Sequence, residues 1–123
     1  KNNQKVILEL KDKLIDINGI NVILERIDNL NLSKLRGELD SLKKDIKNIV
    51  IILCGSYAEK SMIMVSVSPE ITDTYDARSL VASLAFLIEA RGGGKPDFAQ
   101  AGGGKSDNLD EVLKSAKKII EKA

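Results

Sequence analysis

Two Gly-Gly-Gly-Lys blocks, at residues 92–95 and 102–105, carry the residue types that point most directly to chemistry. They hold six of the nine glycines in the chain. Successive glycine N–H groups can point into one concavity, and a neighbouring lysine supplies the positive charge that binds a phosphate. The pattern predicts two phosphate-binding loops. A flexible linker is the alternative, but the residues from Pro96 to Ala101 between the blocks are typical of a short packed strand.

Two more specific nucleotide-binding motifs fail in this segment. Gly104-Lys105-Ser106 matches the end of a Walker A loop, but the position of the first glycine of that motif is occupied by Ala99. The dinucleotide fingerprint fails because its third glycine falls on Asp97 or Asp107. ATP and NAD are therefore not expected to bind here.

This chain lacks the side chains that several common kinds of catalysis require. It has no histidine and a single cysteine, which excludes Cys-His and Ser-His nucleophile pairs, a structural zinc site and an internal disulfide. Cys54 lies in an apolar run and is expected to be a reduced core residue of a cytoplasmic protein. Magnesium could bind Asp97, Asp107, Asp110 and Glu111, but helix capping explains the last three, so no metal is expected.

The charges are balanced overall, with 19 basic and 18 acidic residues, but they are unevenly distributed. Residues 54–90 carry two basic and five acidic residues, whereas residues 91–123 carry seven and five. A polyanion is therefore expected to avoid the face formed by Tyr57 to Glu89 and to meet the glycine blocks and the cations beside them, which are Arg91, Lys95 and Lys105. Three further lysines could extend that surface, although a solvated helix face is the simpler interpretation: Lys114, Lys117 and Lys118.

Aromatic residues make up only 3% of the chain, so a platform for base stacking is not expected. Phe98 is the one aromatic residue beside the glycines, and core packing is its simpler role. Recognition is then expected to depend on phosphates and on shape.

The surrounding segments predict one α/β domain. Residues 20–25 alternate with the period of a strand, and residues 49–54 form the continuous apolar run of a central strand that breaks at Gly55. Between them a helix begins at Ser33 and exposes its lysines, Lys43 included, and this strand-helix-strand order favours parallel pairing. The later elements are a hairpin strand at 61–67, a helix capped by Asp73 or Thr74 that ends at Arg91-Gly92, and a last helix with an Asn108-Glu111 capping box.

Four apolar residues at three-four-three spacing predict an amphipathic helix that ends at Gly19: Ile7, Leu10, Leu14 and Ile17. It either docks on its own domain or is the end of a longer helical arm. The chain is accordingly divided into an arm at 1–17 and a globular domain at 18–123. The first four residues lack Met and the pattern of a signal peptide, and no apolar run is long enough to span a membrane, so a fragment or processed chain is expected.

The segment from Arg91 to Gly103 resembles the glycine-rich signature near the C terminus of bacterial alanyl-tRNA synthetases, in the wording Gly-Gly-Gly-Lys-Pro-Asp-Phe-Ala-Gln-Ala-Gly-Gly. The order of predicted elements is similar to that family over essentially the whole chain. The resemblance implies a DHH-associated domain, a single small mixed sheet with flanking helices, preceded by the end of a helical arm. DHH phosphoesterases share this domain, but the wording of the signature favours the synthetases.

The resemblance implies a noncatalytic module of an alanine-tRNA ligase that contacts the elbow of tRNA, with alanine tRNA as the expected partner. The module would help the aminoacylation and editing domains of the same chain act on one tRNA. ATP, magnesium and zinc would be bound by those other domains, and no cofactor by this one. Elbow contact is assigned through the resemblance to Arg91, Gly92, Gly93, Gly94, Lys95, Gly102, Gly103, Gly104 and Lys105. The alternative is a structural module that forms a homodimer through Ile7, Leu10, Leu14 and Ile17.

Overall fold

The structure is a computed structural model that describes residues 3–123, so residues 1 and 2 of the predicted arm lie outside the described part. Within residues 3–123 the chain forms four α-helices, six strands and three short 3₁₀ helices. The α-helices are α1 (Asn3–Lys11), α2 (Arg36–Asp45), α3 (Ala77–Ala85) and α4 (Leu109–Lys122). The strands are β1 (Ile15–Ile17), β2 (Ile20–Arg26), β3 (Ile49–Tyr57), β4 (Lys60–Val67), β5 (Arg91–Lys95) and β6 (Phe98–Gly102).

The strands of the described residues form one mixed sheet in the order β1-β2-β3-β4-β6-β5. β2 and β3 are parallel, which confirms the pairing that the strand-helix-strand order favours. The other neighbouring pairs are antiparallel. β3 lies inside the sheet and is buried from Ile49 to Gly55, as expected of a strand whose two faces are both covered. β1 and β5 are the two edges.

Helices pack on both faces of the sheet. On the α1/α2 face, Leu39 and Ile51 belong to one apolar cluster, and on the α3/α4 face, Val50, Leu84 and Val112 belong to another. Successive residues of a strand alternate between the two clusters because side chains of a strand point to opposite faces in turn. A single mixed α/β domain with flanking helices is therefore confirmed.

The N-terminal segment differs from its prediction. Residues 15–17 form β1 rather than the last turn of a helix, and β1 pairs with β2 across a turn in which Asn18 and Gly19 have positive φ. Leu10 is buried in the cluster on the α1/α2 face and Ile17 in the cluster on the α3/α4 face, so the four seam residues do not share one stripe. The prediction of a helix through Ile17 is wrong, because pairing with β2 satisfies the backbone of that segment.

β3 and β4 form the predicted hairpin, but β3 is longer than predicted. It continues through Gly55 to Tyr57, and a turn at Ala58 and Glu59, both with positive φ, keeps the two strands in register. A Cβ at Gly55 would collide with the carbonyl oxygen of Ile27. The predicted break at Gly55 is wrong, since this glycine serves a close approach inside the strand.

The caps of two helices also differ from their predictions. Asp76, rather than Asp73 or Thr74, caps α3, with its side chain accepting from the second and third N–H groups of the helix. Asn108 makes no side-chain cap to α4, and its Nδ2 donates instead to the carbonyl oxygen of Leu87 at 2.9 Å. The Asn108 amide therefore ties the start of α4 to the segment after α3.

The entry into α2 differs in the same way. Asn31, not Ser33, is the capping residue, because its Oδ1 accepts from the backbone N–H of Ser33 at 3.1 Å. A 3₁₀ helix at Leu32–Leu35 then leads directly into α2. Both Leu32 and Leu35 are buried in the cluster on the α1/α2 face, which fixes this short helix against the sheet.

Lys43 of α2 is buried, contrary to its predicted exposure with the other lysines of that helix. Its Nζ donates to the carbonyl oxygen of Asp97 at 3.1 Å and to that of Val67 at 3.4 Å, and the side chain is 8% exposed. The same Asp97 oxygen accepts from the backbone N–H of Val67 at 2.9 Å, and the Pro96 oxygen accepts from that of Ala77 at 2.8 Å. These bonds hold the β5-β6 turn against α2, β4 and α3.

Lys43→Ala is expected to lower the free energy of unfolding by roughly 1–3 kcal/mol, because it removes a charged donor from two buried carbonyl groups. Urea denaturation measures the change. Lys44→Ala, at an exposed position of the same helix, is the control and should stay within about 0.5 kcal/mol of the wild type. Equal effects of the two substitutions would contradict a structural role for the Lys43 ammonium.

A second polar cluster fixes the segment between β2 and α2. Asp28 Oδ1 accepts from the backbone N–H of Ser56 at 3.0 Å and from Arg26 Nε at 3.1 Å. Arg26 also reaches Asp110 Oδ1 on α4 at 3.2 Å. Hydrogen bonding from the Ser56 N–H, followed by the contribution of Arg26, holds the pKa of Asp28 below its ordinary value of 3.8. The ends of β2 and β3 and the start of α4 are thus joined by one carboxylate-guanidinium network.

Asp28→Asn is expected to lower the urea midpoint at neutral pH. The neutral amide replaces a carboxylate that accepts charge-assisted hydrogen bonds from Arg26 and the Ser56 N–H. The folded pKa of Asp28 lies below the unfolded one, so its contribution is present above about pH 4 and is lost as the pH falls through the folded value. The midpoints of the variant and the wild type should therefore converge as the pH falls through the folded pKa of Asp28. Asp12→Asn, at an exposed site, should show no such convergence.

Candidate nucleic-acid interface

The first glycine block forms an edge strand and not a loop. α3 ends at Ala85, a 3₁₀ helix at Phe86–Ile88 follows, and Glu89 with φ 54° turns the chain into β5. The predicted helix end at Arg91-Gly92 is therefore wrong. The predicted strand between the blocks is confirmed as β6, which pairs with β5 along its whole length.

The register assigns each residue of the two blocks to a face of the sheet. Gly92 and Gly94 are opposite Ala101 and Ala99, which belong to the cluster on the α3/α4 face. The other three residues of β5 are opposite residues on the α1/α2 face, because strand neighbours in register share a face. We call these three residues and their partners on β6 the open face: Arg91, Gly93, Lys95, Phe98, Gln100 and Gly102. Every residue of β5 is exposed to solvent.

Three cations lie at the open face. Arg91 and Lys95 stand at the two ends of β5, about 13 Å apart along the strand. Arg36, the first residue of α2, places its guanidinium carbon 3.9 Å from the centre of the Phe98 ring. Phe98 is 6% exposed, which agrees with a core role, and Arg36 covers it. Arg36 was not among the residues assigned from the sequence, since only the fold brings α2 beside β6.

The second glycine block begins at Gly102, the last residue of β6, and continues as a loop through residues 103–105. The N–H of Gly103, a residue with φ 89°, donates to the carbonyl oxygen of Ser61 at 3.0 Å. Gly104 packs so closely on the Ile88 carbonyl that no Cβ fits there. Lys105 Nζ lies 3.2 Å from Glu89 Oε2, and both side chains are more than half exposed. Lys105 therefore offers less uncompensated charge to a ligand than Lys95 does.

The glycines of β5 differ in whether the fold itself requires them. A Cβ at Gly92 would collide with the Gln100 carbonyl and Ala101, and one at Gly94 would collide with Phe98 and Ala99. A Cβ added at Gly93, in contrast, would have no neighbouring heavy atom within 4 Å. Neither packing against the described residues nor backbone strain requires a glycine at position 93.

A cleft of about 250 Å³ adjoins Gly102, the last residue of the open face. Its walls come from the segment after β2, from the β3-β4 hairpin and from the second glycine block. The residues that line it are Leu30, Asn31, Leu32, Gly55, Tyr57, Ala58, Lys60, Ser61, Met62, Gly102 and Gly103. Tyr57 is 47% exposed, which makes it a second aromatic candidate beside Phe98. Its distance from the glycine blocks in the sequence hides this proximity.

The three C-terminal lysines lie on the opposite side of the molecule. α4 buries Leu109, Val112, Ala116 and Ile120 in the cluster on the α3/α4 face. The exposed side of that helix, with Lys114, Lys117 and Lys118, therefore points away from the sheet and from the open face. The structure supports a solvated helix face for these lysines.

The described residues show no arrangement that resembles a metal site. Among them, no group of three or more cysteine, histidine, aspartate or glutamate side chains is placed to hold a metal ion. Asp110 instead binds Arg26. Cys54 is fully buried, and burial raises the pKa of its thiol to about 12. No helix in residues 3–123 is long and apolar enough to cross a membrane.

Comparison with known protein families shows which family the chain belongs to. Residues 19–122 match the DHHA1 domain. The chain belongs to the DHHA1 domain family. The matched region runs from Gly19 through the open face to the end of α4, so the two glycine blocks lie inside it.

Solved structures show the same fold. The C-Ala domain from Aquifex aeolicus alanyl-tRNA synthetase superposes with a TM-score of 0.79 at 24% identity, covering 89% of this chain and 98% of that one. The DHH domain of a member of the s1p family of ribosomal proteins gives a TM-score of 0.66 at 20% identity, covering 98% of this chain and 30% of that chain. These two similarities establish the mixed α/β fold of this DHHA1 domain.

Gly92→Ala is expected to lower the free energy of unfolding by roughly 1–3 kcal/mol, because its Cβ has no space against β6. Gly93→Ala should stay within about 0.5 kcal/mol of the wild type, since its Cβ meets open space. Urea denaturation distinguishes the two. Gly37→Ala on α2, where a Cβ also meets no atom within 4 Å, controls for replacing a glycine and should be neutral or stabilising. Equal destabilisation at 92 and 93 would contradict the assignment of Gly93 to the open face.

Proposed function

We propose that this DHHA1 domain is a tRNA-binding module, the C-terminal domain of an alanyl-tRNA synthetase, and that it contacts the tRNA elbow through the open face. The observation that carries the proposal is Gly93, a glycine that the fold does not need, placed between Arg91 and Lys95 on one exposed strand. Membership of the DHHA1 family and the synthetase-like wording of residues 91–103 support the same conclusion.

The open face suits a sugar-phosphate backbone. Arg91 and Lys95 provide two positive charges along an edge strand, and the edge also carries backbone N–H groups that no neighbouring strand occupies. Without a side chain at Gly93, an RNA backbone can approach that edge closely. Contacts of this kind fix the position of the RNA and depend little on base identity. The elbow is a shape that tRNAs share, so weak discrimination among tRNAs is expected.

On this proposal the domain performs no chemistry of its own. Its role is to hold one tRNA so that the aminoacylation and editing domains of the parent enzyme can act on it in turn. ATP, magnesium and zinc belong to those other domains. The open face then contributes to catalysis only by keeping the tRNA close, as a tethered second site raises effective concentration.

Homodimer formation through the N-terminal seam stays a prediction, but its geometry changes. Leu10 and Ile17 are already buried in this chain, so they are not free to pair with a second copy. Leu8 on α1 is 62% exposed and Ile15 on β1 is 41% exposed, which makes them the large apolar residues of this segment with the most exposed surface. Leu8→Asp, rather than Leu10→Asp, therefore tests association by sedimentation without disturbing the core.

Binding of the domain to full-length alanine tRNA is expected to weaken steeply with salt. Arg91→Ala and Lys95→Ala should each reduce the slope of log affinity against log salt by about 0.7–0.9, the value for one lost phosphate contact. Lys105→Ala should have a smaller effect, because Glu89 already lies 3.2 Å from its ammonium. Titrations over a salt series measure these slopes.

The control is Lys117→Ala on α4, which removes the same charge from the opposite side of the molecule and should leave the slope unchanged. Gly93→Ala should weaken binding while the domain stays folded. A minihelix with the acceptor stem but no elbow should bind more weakly than the full tRNA. Equal binding of both RNAs would overturn the elbow assignment, and unchanged slopes for both Arg91→Ala and Lys95→Ala would overturn the open face as the site.

A further inference from the structure

The cleft beside Gly102 differs in charge from two other depressions in the described surface. Its lining residues include one cation, Lys60, and no carboxylate. A depression of about 510 Å³ between α1 and the end of β2 is lined by Glu9, Glu25 and Asp28 as well as by lysines. A third, of about 480 Å³, contains Asp73 and Asp76. Among the three, the cleft beside Gly102 is the one whose charge suits RNA.

The cleft and the open face are continuous. Gly102 belongs to both, and Arg91 is its register partner on β5. On β4, Lys60 and Met62 lie on the same face of the sheet because they are two residues apart, and Met62 is opposite Gly102. An RNA strand whose phosphates contact Arg91 therefore has its next recess at this cleft.

The walls of the cleft suit a flat aromatic ligand. Tyr57 offers a half-exposed ring, Met62 offers partly exposed apolar surface, and Gly102 and Gly103 present backbone without side chains. The volume, about 250 Å³, is smaller than that of sites for drug-sized molecules but is suited to a single planar ring system. RNA-binding proteins commonly stack unpaired bases of loops on aromatic side chains of this kind.

We propose that this cleft takes one unstacked base of the bound tRNA, with Tyr57 stacking on its face and Lys60 contacting the adjoining phosphate. The proposal rests on the proposed function, because it identifies a second contact of the same RNA. It assigns to the β3-β4 hairpin a role that neither the glycine blocks nor the charge distribution indicates. The base contact adds affinity through stacking, which is tolerant of base identity because every base has a π face.

Tyr57→Ala should weaken binding to full-length alanine tRNA by about 5- to 150-fold, the range for loss of one stacked base. The salt slope should remain that of the wild type, because no charge is removed. Tyr57→Phe keeps the ring and should restore binding. This rescue separates stacking from a role of the phenol hydroxyl and from a general effect on the hairpin.

Phe86→Ala is the matched control, because Phe86 is also aromatic, is 70% exposed, and lies after α3 on the other layer of the molecule. It should leave tRNA affinity unchanged. Circular dichroism melting of each variant confirms that the hairpin and the sheet are intact before binding is compared.

Tryptophan fluorescence gives an independent measurement, since the natural chain contains no tryptophan. In Tyr57→Trp the single indole should be quenched when tRNA binds, as expected for a ring that stacks on a base. In Phe86→Trp the emission should not change. Strong quenching in the first variant and none in the second supports the cleft.

The outcomes separate this proposal from the one on which it rests. If wild-type binding has the expected salt slope but Tyr57→Ala binds within twofold of it, the cleft proposal is overturned and the open face stands. If Tyr57→Trp is not quenched in the complex, the stacking contact is likewise overturned. If the wild-type domain does not bind tRNA, the proposed function fails, and the cleft proposal fails with it.

Discussion

The fold depends on one constraint, which is that the long apolar strand β3 must be covered on both faces. Ile51 and Leu53 point to one side and Val50 and Ile52 to the other, so neither side can face water. Two helices on each face meet this requirement and divide the interior into two clusters. In the neighbouring strands too, side chains that point to opposite faces belong to different clusters. At the far edge, α3 covers β5 on one face, while the other face stays open.

The order and type of most elements could be predicted from periodicity. Alternation over residues 20–25 and the unbroken apolar run at 49–54 indicate strands, and the helix between them makes parallel pairing the natural connection. The predicted secondary structure was wrong where strand pairing overrides the local conformational preference of the residues. Residues 15–17 continue a helical spacing but form a strand, and Gly92-Gly93-Gly94 has low strand propensity but pairs with β6. Such competition is decided by neighbours that are distant in sequence.

The candidate site was predictable only in part, for a similar reason. The glycine blocks and their adjacent cations are contiguous in the sequence, and the resemblance to a family signature identifies them. The sequence does not distinguish Gly93, which faces open space, from Gly92, which packs against β6. It also does not place Arg36 over Phe98 or Tyr57 beside Gly102. Capping residues were misassigned because several Asn, Asp and Ser side chains near each helix start are chemically suitable.

The exposed edge at β5 has a consequence for the behaviour of free protein. An edge strand whose outer side has no neighbouring strand and little side-chain cover is a surface on which two identical chains can join their sheets. If two copies paired there in antiparallel register, Arg91 of one would face Lys95 of the other at both ends of the pair. Repulsion between these like charges opposes the joining. The two cations therefore disfavour pairing at this edge, and a polyanion that neutralises them would remove that repulsion.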